Sequence, residues 1–571
     1  MTGSNGMNGT AHGAAEPRGI VETLEGRHIL LTGFTGFLGK VWVGFLLDRV
    51  PEIGRITLLV RGRRTQDAES RVREAFEQSP ALRPLREKHG EGLLAFLSEK
   101  IDVLQGDAKL PLLGIDAPTL AVLAPRLDAV VHCAGLTDFA PDPRAAVEVN
   151  VTGAEHAADL AALIPSKRLV HVSTCFVAGQ VDGHVPEHLD LGVSPNGTRF
   201  DVEAEKLAIQ SVCKSIDERE GGPKRPAARR GRVDVGTQRA QALGWPNLYT
   251  YSKGLAEHSL GARDDVVLTL VRPSVVECAR EFPFPGWNEG INTSGPIVWM
   301  CSGYAWKVPM RADSCFDVVP VDTVARGMTV AVVDALNDNA APIYQLASGD
   351  HNLLTFDRAL DLTALKVRKG YVPSGVSGLE RALLTHLDST PLDHGQDRSV
   401  LLPAAQKASR WLRDTFRKFD KERHLPASVR EDDRNRLGDK ISDASLKLNK
   451  TSMLLKSIDQ LWNAYQPFVH DHSYRFETTS VRERTARLSA DDQARFGWDL
   501  ESLDWRHYWM EVEIPGLDKW SLPLIRGHEV SHDEGFELGG PLPSATVDTS
   551  LPASSASEAE PAREIALGGA E

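Results

Sequence analysis

In the first half of the chain, apolar residues come in short unbroken runs. HILLT (28–32), ITLLV (56–60), IDVLQ (101–105), LDAVVHCA (127–134), RLVHVST (168–174) and VVLTLV (266–271) are separated by charged, amphipathic stretches of helix length. Strands that alternate with helices predict βαβ units and a parallel sheet. Runs that are continuous, with no apolar–polar alternation, predict a sheet covered on both faces. Near residue 355 the texture changes. Residues 378–387, 402–423 and 442–466 have the spacing of amphipathic helices, and no further βαβ signal follows. The pattern predicts a mostly helical domain over 356–530. Residues 1–26 open on a Gly-, Asn-, Ala- and Thr-rich stretch, and 531–571 contain PLPSATVDTSLPASSASEAEPAR; both ends are predicted to be disordered. The basic stretch GGPKRPAARRGR (221–232) reads as a surface insertion.

The first apolar run stops at TGFTGFLG (32–39), and a helical pattern follows. Glycine there permits a tight turn and close approach to a pyrophosphate, and the following helix start offers N–H groups to the anion. The fold expected over 27–355 is an α/β, Rossmann-type doubly wound sheet. Thr32, Gly33, Thr35, Gly36, Phe37, Leu38 and Gly39 are the expected dinucleotide cradle. After the second run stand Arg61, Arg63 and Arg64, with no acid nearby. A carboxylate there would suit the free ribose hydroxyls of NAD, whereas guanidinium groups suit a 2′-phosphate, so NADPH is the expected cofactor. Asp107, after the third run, would meet the adenine edge or cap a turn. Cys133-Ala134-Gly135 would let the backbone approach the cofactor.

Tyr249 and Lys253 are four residues apart in YTYSK and share a helix face. A phenol titrates near 10, so it needs help to exchange protons at neutral pH; a nearby ammonium and a cationic nicotinamide ring would lower that value. A hydroxyl at Ser173-Thr174 would hold a substrate carbonyl oxygen together with Tyr249. Tyr251 is two residues from Lys253 and points to another face. Cys175 beside Thr174 reads as a small buried residue.

Length, charge and cysteine content narrow the choice. The 571 residues suffice for two or three domains, and the net charge of -13 disfavours nucleic acid. The six cysteines, at 133, 175, 213, 278, 301 and 315, form no CxxC pair and no zinc-ligand spacing, so no metal site is expected. No secretory leader and no transmembrane run is read, which makes the cytoplasm the expected location.

Taken together, TGFTGFLGKV (32–41), VHCAG (131–135), NVTG (150–153), HVST (171–174), YTYSKGLAE (249–257), VRPSVVE (271–277), FPFPGW (282–287), FDVVPVDTVARGM (316–328), YRFET (474–478) and LDWRHYWMEVEIPGL (503–517) resemble the alcohol-forming fatty acyl-CoA reductases, a branch of the extended short-chain dehydrogenase/reductases. The resemblance covers most of 27–520. It implies Thr174, Tyr249 and Lys253 as the catalytic set, with Gly33, Gly36, Gly39 and the Arg61–Arg64 loop as the NADPH site. It also implies reduction of a long-chain fatty acyl-CoA, through an aldehyde, to a fatty alcohol of the kind used in wax esters. A reductase that stops at aldehyde, one acting on a carrier-protein thioester, and a sugar epimerase or sterol dehydrogenase are rivals on the same fold. An NADP-holding sensor without turnover would not need the Tyr–Lys pair. Phe284 and Trp287 would line the acyl channel or pack a loop core, and the C-terminal domain, with Trp505, Tyr508 and Trp509, would cover it. Residues 1–355 alone should then bind NADPH but reduce long chains poorly. Membrane contact, if any, would be peripheral, and the oligomeric state is left open.

Overall fold

A computed structural model of the chain describes residues 19–291, 294–302, 307–308, 310–371, 390–391, 463, 465–530, 532–533 and 535–546. The strands are β1 (His28–Thr32), β2 (Arg55–Val60), β3 (Ile101–Gln105), β4 (Ala129–His132), β5 (Arg168–Val172), β6 (Gly183–Val185), β7 (Val267–Pro273) and β8 (Val275–Glu277), followed in the main sheet by Ile343–Leu346. That sheet has seven strands in the order Ile343–Leu346, β7, β5, β4, β1, β2, β3, and every pairing is parallel. The chain reverses direction across the sheet between β1 and β4, which opens a crevice at their carboxyl ends.

Both faces are covered, as the unbroken apolar strands predict. Ile29 and Leu31 of β1 point to one side, where Phe37–Arg49 and Val321–Leu336 pack. Leu30, Val130 and Leu169 point to the other, against Gly153–Leu163 and Leu248–Gly261. The helix Phe37–Arg49 is buried from Gly39 to Leu47. An all-round apolar helix has no solvent face to offer, and Trp42 Nε1 finds its acceptor in Thr329 Oγ1 at 3.2 Å.

Three expectations change here. Residues 19–26 are ordered: Ile20–Leu24 is helical, with Ile20 and Leu24 fully buried and the Ile20 N–H donating to Asp492. The segment 221–232 is not an insertion loop. Pro226–Ala242 is a helix with a buried stripe at Ala228, Arg232, Gly236 and Ala240, and the Arg232 guanidinium pairs with Asp142 and Asp217. Residues 535–546 are not disordered. Leu538 and Leu542 are buried, and the backbone at 543–545 hydrogen-bonds Val103 along the edge of β3, which would otherwise be unpaired.

The expected helices 378–387 and 402–423, and nearly all of 442–466, lie outside the described residues. What is described of the C-terminal region does not stand apart from the sheet. Tyr474–Phe476 pairs in parallel with β6, and Phe496, Trp505, Trp509 and Trp520 share one apolar core with β1 and β2. A fragment ending at 355 loses part of that core, so the truncation expected to bind NADPH cuts through packed structure. Among the described residues no helix is long and apolar enough to cross a membrane.

Candidate active site

The crevice is floored by the glycine turn. Gly33 has a φ of 86°, and a Cβ there would lie 2.6 Å from the Ala134 nitrogen; a Cβ at Gly39 would lie 2.3 Å from the Gly33 oxygen. Only glycine lets β1, the turn and the loop after β4 meet so closely. At Gly36, by contrast, a Cβ would meet only the Gly33 oxygen, at 3.3 Å. Gly36 is the N-cap of Phe37–Arg49 and supplies no side chain, so the first N–H groups of that helix face the cavity. A backbone cradle with free donors is what a pyrophosphate requires, and the expected dinucleotide fits it.

Beyond β2 the arginines gather. Arg61 lies 3.9 Å from Asp107, which also caps its own turn by accepting from the Lys109 N–H. Arg63 and Arg64 are exposed on the same turn. Arg71 was not foreseen. It stands on the helix Ala68–Gln78, and its guanidinium donates to Thr35 Oγ1 at 3.2 Å and to the Arg61 carbonyl. Its pKa is held below the ordinary value by burial and by the charges of Arg63 and Arg61. Cations crowded at one place create a local demand for an anion. No sequence signal singled out Arg71, because where it reaches depends on how the helix Ala68–Gln78 sits beside the glycine turn.

Tyr249 and Lys253 lie on the helix Leu248–Gly261, which Asn247 caps by accepting from the Thr250 N–H. Both line the main cavity, with Thr174 at the end of β5. Burial pushes the Tyr249 phenol up to about 12, against a smaller pull from nearby Thr174 towards the ionised form. Lys253 donates to the Val172 carbonyl at 2.8 Å and is pulled down to about 8 by burial. The expected lowering of the phenol by the ammonium is therefore absent: Lys253 is held by the strand, not by Tyr249. Tyr251 packs away from the cavity, its hydroxyl on Glu205.

Asn150 was quoted within NVTG without a role. It holds the loop after β4 through Leu136, accepting from its N–H at 2.7 Å and donating to its carbonyl at 2.9 Å, and it also donates to Ser252 Oγ. That loop is tight against the lysine, since a Cβ on Gly135 would lie 3.0 Å from Lys253 Nζ. Near it, His132 and His171 stack at 5.4 Å. Burial and the Lys253 charge pull His132 down to about 3 and His171 well below its ordinary value, so both stay neutral. Cys175 donates to the Arg272 carbonyl, and burial pushes its thiol far up, which removes it as a nucleophile. Among the described residues no cluster of His, Cys, Asp or Glu could hold a metal ion.

The main cavity is about 730 Å³. Its far wall is aromatic, formed by Phe139, Phe176, Phe468, Tyr474 and Phe476, with Phe316 and Phe356 beside them. Phe468 meets Phe139 at 5.8 Å and Phe176 at 5.2 Å, and Phe139 stacks on Tyr249 at 6.1 Å. The expected aromatic residues are elsewhere. Phe284 lies under Arg83 and beside Trp520, Trp287 stacks on Phe37, and Trp505 and Tyr508 pack against each other. The wall that faces the helix Leu248–Gly261 thus comes partly from 465–476 and not from 503–517. A second space of about 670 Å³ opens beside Thr35, Arg63 and Arg71.

Comparison with known proteins agrees with this geometry. The family model described as Male sterility protein, an NAD-binding domain, matches residues 31–328, about half of the chain. Fatty acyl-CoA reductase 2, chloroplastic, of Arabidopsis thaliana is 27% identical over 88% of this chain and 80% of its own length. The alcohol-forming fatty acyl-CoA reductase of Simmondsia chinensis is 25% identical over 87% of this chain and 98% of its own. Probable fatty acyl-CoA reductase 5 of Arabidopsis thaliana is 30% identical over 59% of this chain and 69% of its own. Among solved structures, the terminal R domain from the myxalamid PKS-NRPS biosynthetic pathway aligns at 21% identity and a TM-score of 0.41, over 63% of this chain and 77% of that one. With a domain match over residues 31–328 and relatives aligned over most of its length, the chain belongs to the fatty acyl-CoA reductase family.

Proposed function

We propose that this protein reduces long-chain fatty acyl-CoA to fatty alcohol with NADPH, using Thr174, Tyr249 and Lys253. One observation carries the reading. Tyr249 lines the same cavity as the glycine turn and stacks on Phe139 of the aromatic wall, so its hydroxyl would serve both a cofactor and an acyl chain.

When bound, NADPH supplies hydride to the carbonyl carbon. Thr174 and Tyr249 hold the carbonyl oxygen between two O–H donors, which matter most as that oxygen gains charge. A phenol near 12 is a firm proton holder and releases its proton only to a strong base such as an alkoxide. Lys253, at about 8, gains or loses a proton close to neutral pH and so serves to restore the phenol. Hydride and the Tyr249 proton together turn the thioester into a hemithioacetal; its C–S bond then breaks while its hydroxyl proton passes to sulfur, leaving aldehyde and CoA-SH, and a second hydride and proton take the aldehyde to alcohol between the same donors. Asn150 keeps the Gly135 loop against Lys253 and fixes where the lysine can reach. The aromatic wall excludes water from the chain. Arg61, Arg63 and Arg71 favour a 2′-phosphate and hence NADPH.

The test is direct. The full chain, given a long-chain acyl-CoA and NADPH, should consume two NADPH per thioester and yield alcohol by chromatography. Aldehyde as the final product would overturn the alcohol step, and no acyl-dependent NADPH loss would overturn the whole assignment.

A further inference from the structure

The second space shares the glycine turn with the main cavity. The main cavity touches Gly36 to Gly39, and the second takes Thr35 and Lys40. One of its walls is a single face of the helix Ala68–Gln78, given by Arg71, Glu74, Ala75 and Gln78 at helical spacing. The charges around it are unevenly met. Lys40 pairs with Glu289, and Glu74 accepts from Gln66 Nε2 at 2.9 Å. Arg71 is half-buried, and its guanidinium donates to two neutral oxygens, Thr35 Oγ1 and the Arg61 carbonyl. Among the described residues neither Arg63 nor Arg71 pairs with a carboxylate. Two guanidinium groups in that state suit a phosphate, whose several oxygens accept from such forks.

What holds Arg71 in place comes from the far end of the chain. Phe76, on the same helix, stacks on Phe34 of the glycine turn at 5.5 Å. The helix ends at Gln78, where its last carbonyls need donors. Arg86, on the helix Arg83–His89, donates to the Phe76 carbonyl at 2.9 Å and to the Ser79 carbonyl at 3.0 Å. The Asp533 N–H donates to the Gln78 carbonyl at 3.0 Å. Arg86 is 7% exposed, and a cation buried that far needs an anion. Asp533 is that anion. Its carboxylate pairs with Arg86 and also with Arg83, whose Nε lies 3.0 Å away. These three residues form a clasp on the end of the helix, and His532, next to Asp533, lines the second space.

We infer that Asp533 is a positioning residue for cofactor choice: it neutralises Arg86, closes the end of Ala68–Gln78 against the glycine turn, and so keeps Arg71 aimed with Thr35 at the ribose 2′-phosphate of NADPH. The inference rests on the reading of the arginine cluster as the 2′-phosphate site. Without the Asp533 charge, Arg86 is drawn toward water and gives up the Phe76 and Ser79 carbonyls. The helix end then loosens, and the loss falls on the ligand group that Arg71 meets. NADH lacks that phosphate, so its binding is indifferent to the clasp. The coupling is reciprocal: a bound 2′-phosphate tightens the clasp as much as the clasp tightens the phosphate.

Equilibrium titration of the full chain with NADPH and with NADH, in the absence of acyl substrate, tests this. Asp533→Asn keeps the size of the side chain and removes its charge. Kd for NADPH should rise roughly tenfold, the scale of one hydrogen bond to a charged group, while Kd for NADH stays where it was. Asp533→Glu restores the charge and should recover most of the loss. Arg71→Gln should weaken NADPH selectively, and adding Asp533→Asn to it should cost little more, because both act through one contact. Hydrogen exchange over 72–79 gives a second reading, which NADPH should slow more than NADH does. Should Asp533→Asn not fold, Arg83→Gln removes one partner and leaves Arg86 paired; Kd for NADPH should then rise by a smaller factor, with NADH unmoved. An unchanged Kd for NADPH in Asp533→Asn, an equal weakening of both cofactors, or full additivity with Arg71→Gln overturns the inference and leaves Asp533 a role in stability alone. If Arg71→Gln itself weakens NADPH and NADH alike, the 2′-phosphate reading falls and the inference with it.

Discussion

The two ends of the crevice are built differently. The cofactor end is made of backbone: a turn at 32–39, the loops after β2 and β4, and one helix carrying Tyr249 and Lys253. Its parts follow one another in sequence as strand, turn and helix. The acyl end is made of side chains from distant segments, with Phe139 and Phe176 facing Phe468, Tyr474 and Phe476. The first end has one geometry that works, because a pyrophosphate has fixed shape and charge. The second has many, since an alkyl chain asks only for apolar volume. Substitutions at the cofactor end should therefore cost rate or cofactor choice, and those at the acyl end should change which chain is preferred.

The largest effect belongs at the junction of the two. Tyr249→Phe removes one hydroxyl from a half-buried ring and leaves the stacking on Phe139 intact. General acid–base groups contribute about 10²–10⁴-fold, so a loss of that order is expected, with KM for NADPH and the melting temperature unchanged. Near-normal turnover in a folded Tyr249→Phe protein would remove the phenol from the mechanism.

Next comes the arginine cluster. Replacing Arg61, Arg63 and Arg71 together by glutamine should raise KM for NADPH by roughly 10- to 100-fold, since hydrogen bonds to charged groups are worth about 1.5–3 kcal/mol. KM for NADH should change little. An equal rise for both cofactors would mean that the cluster supports the loop without reading a 2′-phosphate. Arg71→Gln alone separates these roles further, because Arg71 both holds Thr35 and braces the Arg61 carbonyl.

What could be read from sequence follows the same division. β1 and β3 were legible because each is a short, mostly apolar run ending at its own turn. Gly33, Gly36, Gly39, Tyr249 and Lys253 were legible because their spacing alone sets their geometry. Arg71 and Asn150 were not, since a helix face and a π-helical turn decide where they reach. The expected cover was 503–517 with its tryptophans, yet Trp505 packs on Tyr508 and donates to the Asn352 carbonyl, Trp509 packs on Phe316 and donates to Thr363, and the YRFET segment takes the cavity. Aromatic content marks burial and does not tell a core from a channel. Arg232 misled in the opposite way: a basic run reads as solvated surface until two carboxylates, Asp142 and Asp217, draw one of its members inside.

The acyl end gives a smaller effect with a different signature. Phe468 is only partly buried, so Phe468→Ala should fold and open space beside Phe139 and Phe176. Each methylene of fit is worth about 1–3 kcal/mol in such a pocket. The ratio of kcat/KM for longer over shorter acyl chains should shift by about tenfold, with the NADPH KM unchanged. A uniform loss for all chain lengths would show that Phe468 closes the cavity without sizing it.

The smallest effect on catalysis should come from residues 534–571. Ending the chain at Asp533 keeps its pairing with Arg83 and Arg86 but removes Leu538, Leu542 and the backbone cover of β3. Burying a leucine contributes about 1.5–3 kcal/mol, and a compact unfolded state reduces that by roughly 10–40%, so about 3 kcal/mol of stability should go. For a chain of 571 residues, with an unfolding entropy of about 2.1 cal/mol/K per residue, that corresponds to roughly 0.8 °C per kcal/mol and a fall in Tm of about 2–3 °C. The exposed strand edge should also raise the tendency to associate. Neither KM for NADPH nor chain-length preference should move, since among the described residues none of 535–546 lines either cavity. Removing only 547–571 should leave Tm where it was, because the strap up to 546 is retained. Equal Tm values for the two truncations would mean that Leu538 and Leu542 rest on the sheet without stabilising it. A change in cofactor KM would mean that the edge of β3 is coupled to the cofactor end more tightly than its hydrogen bonds indicate.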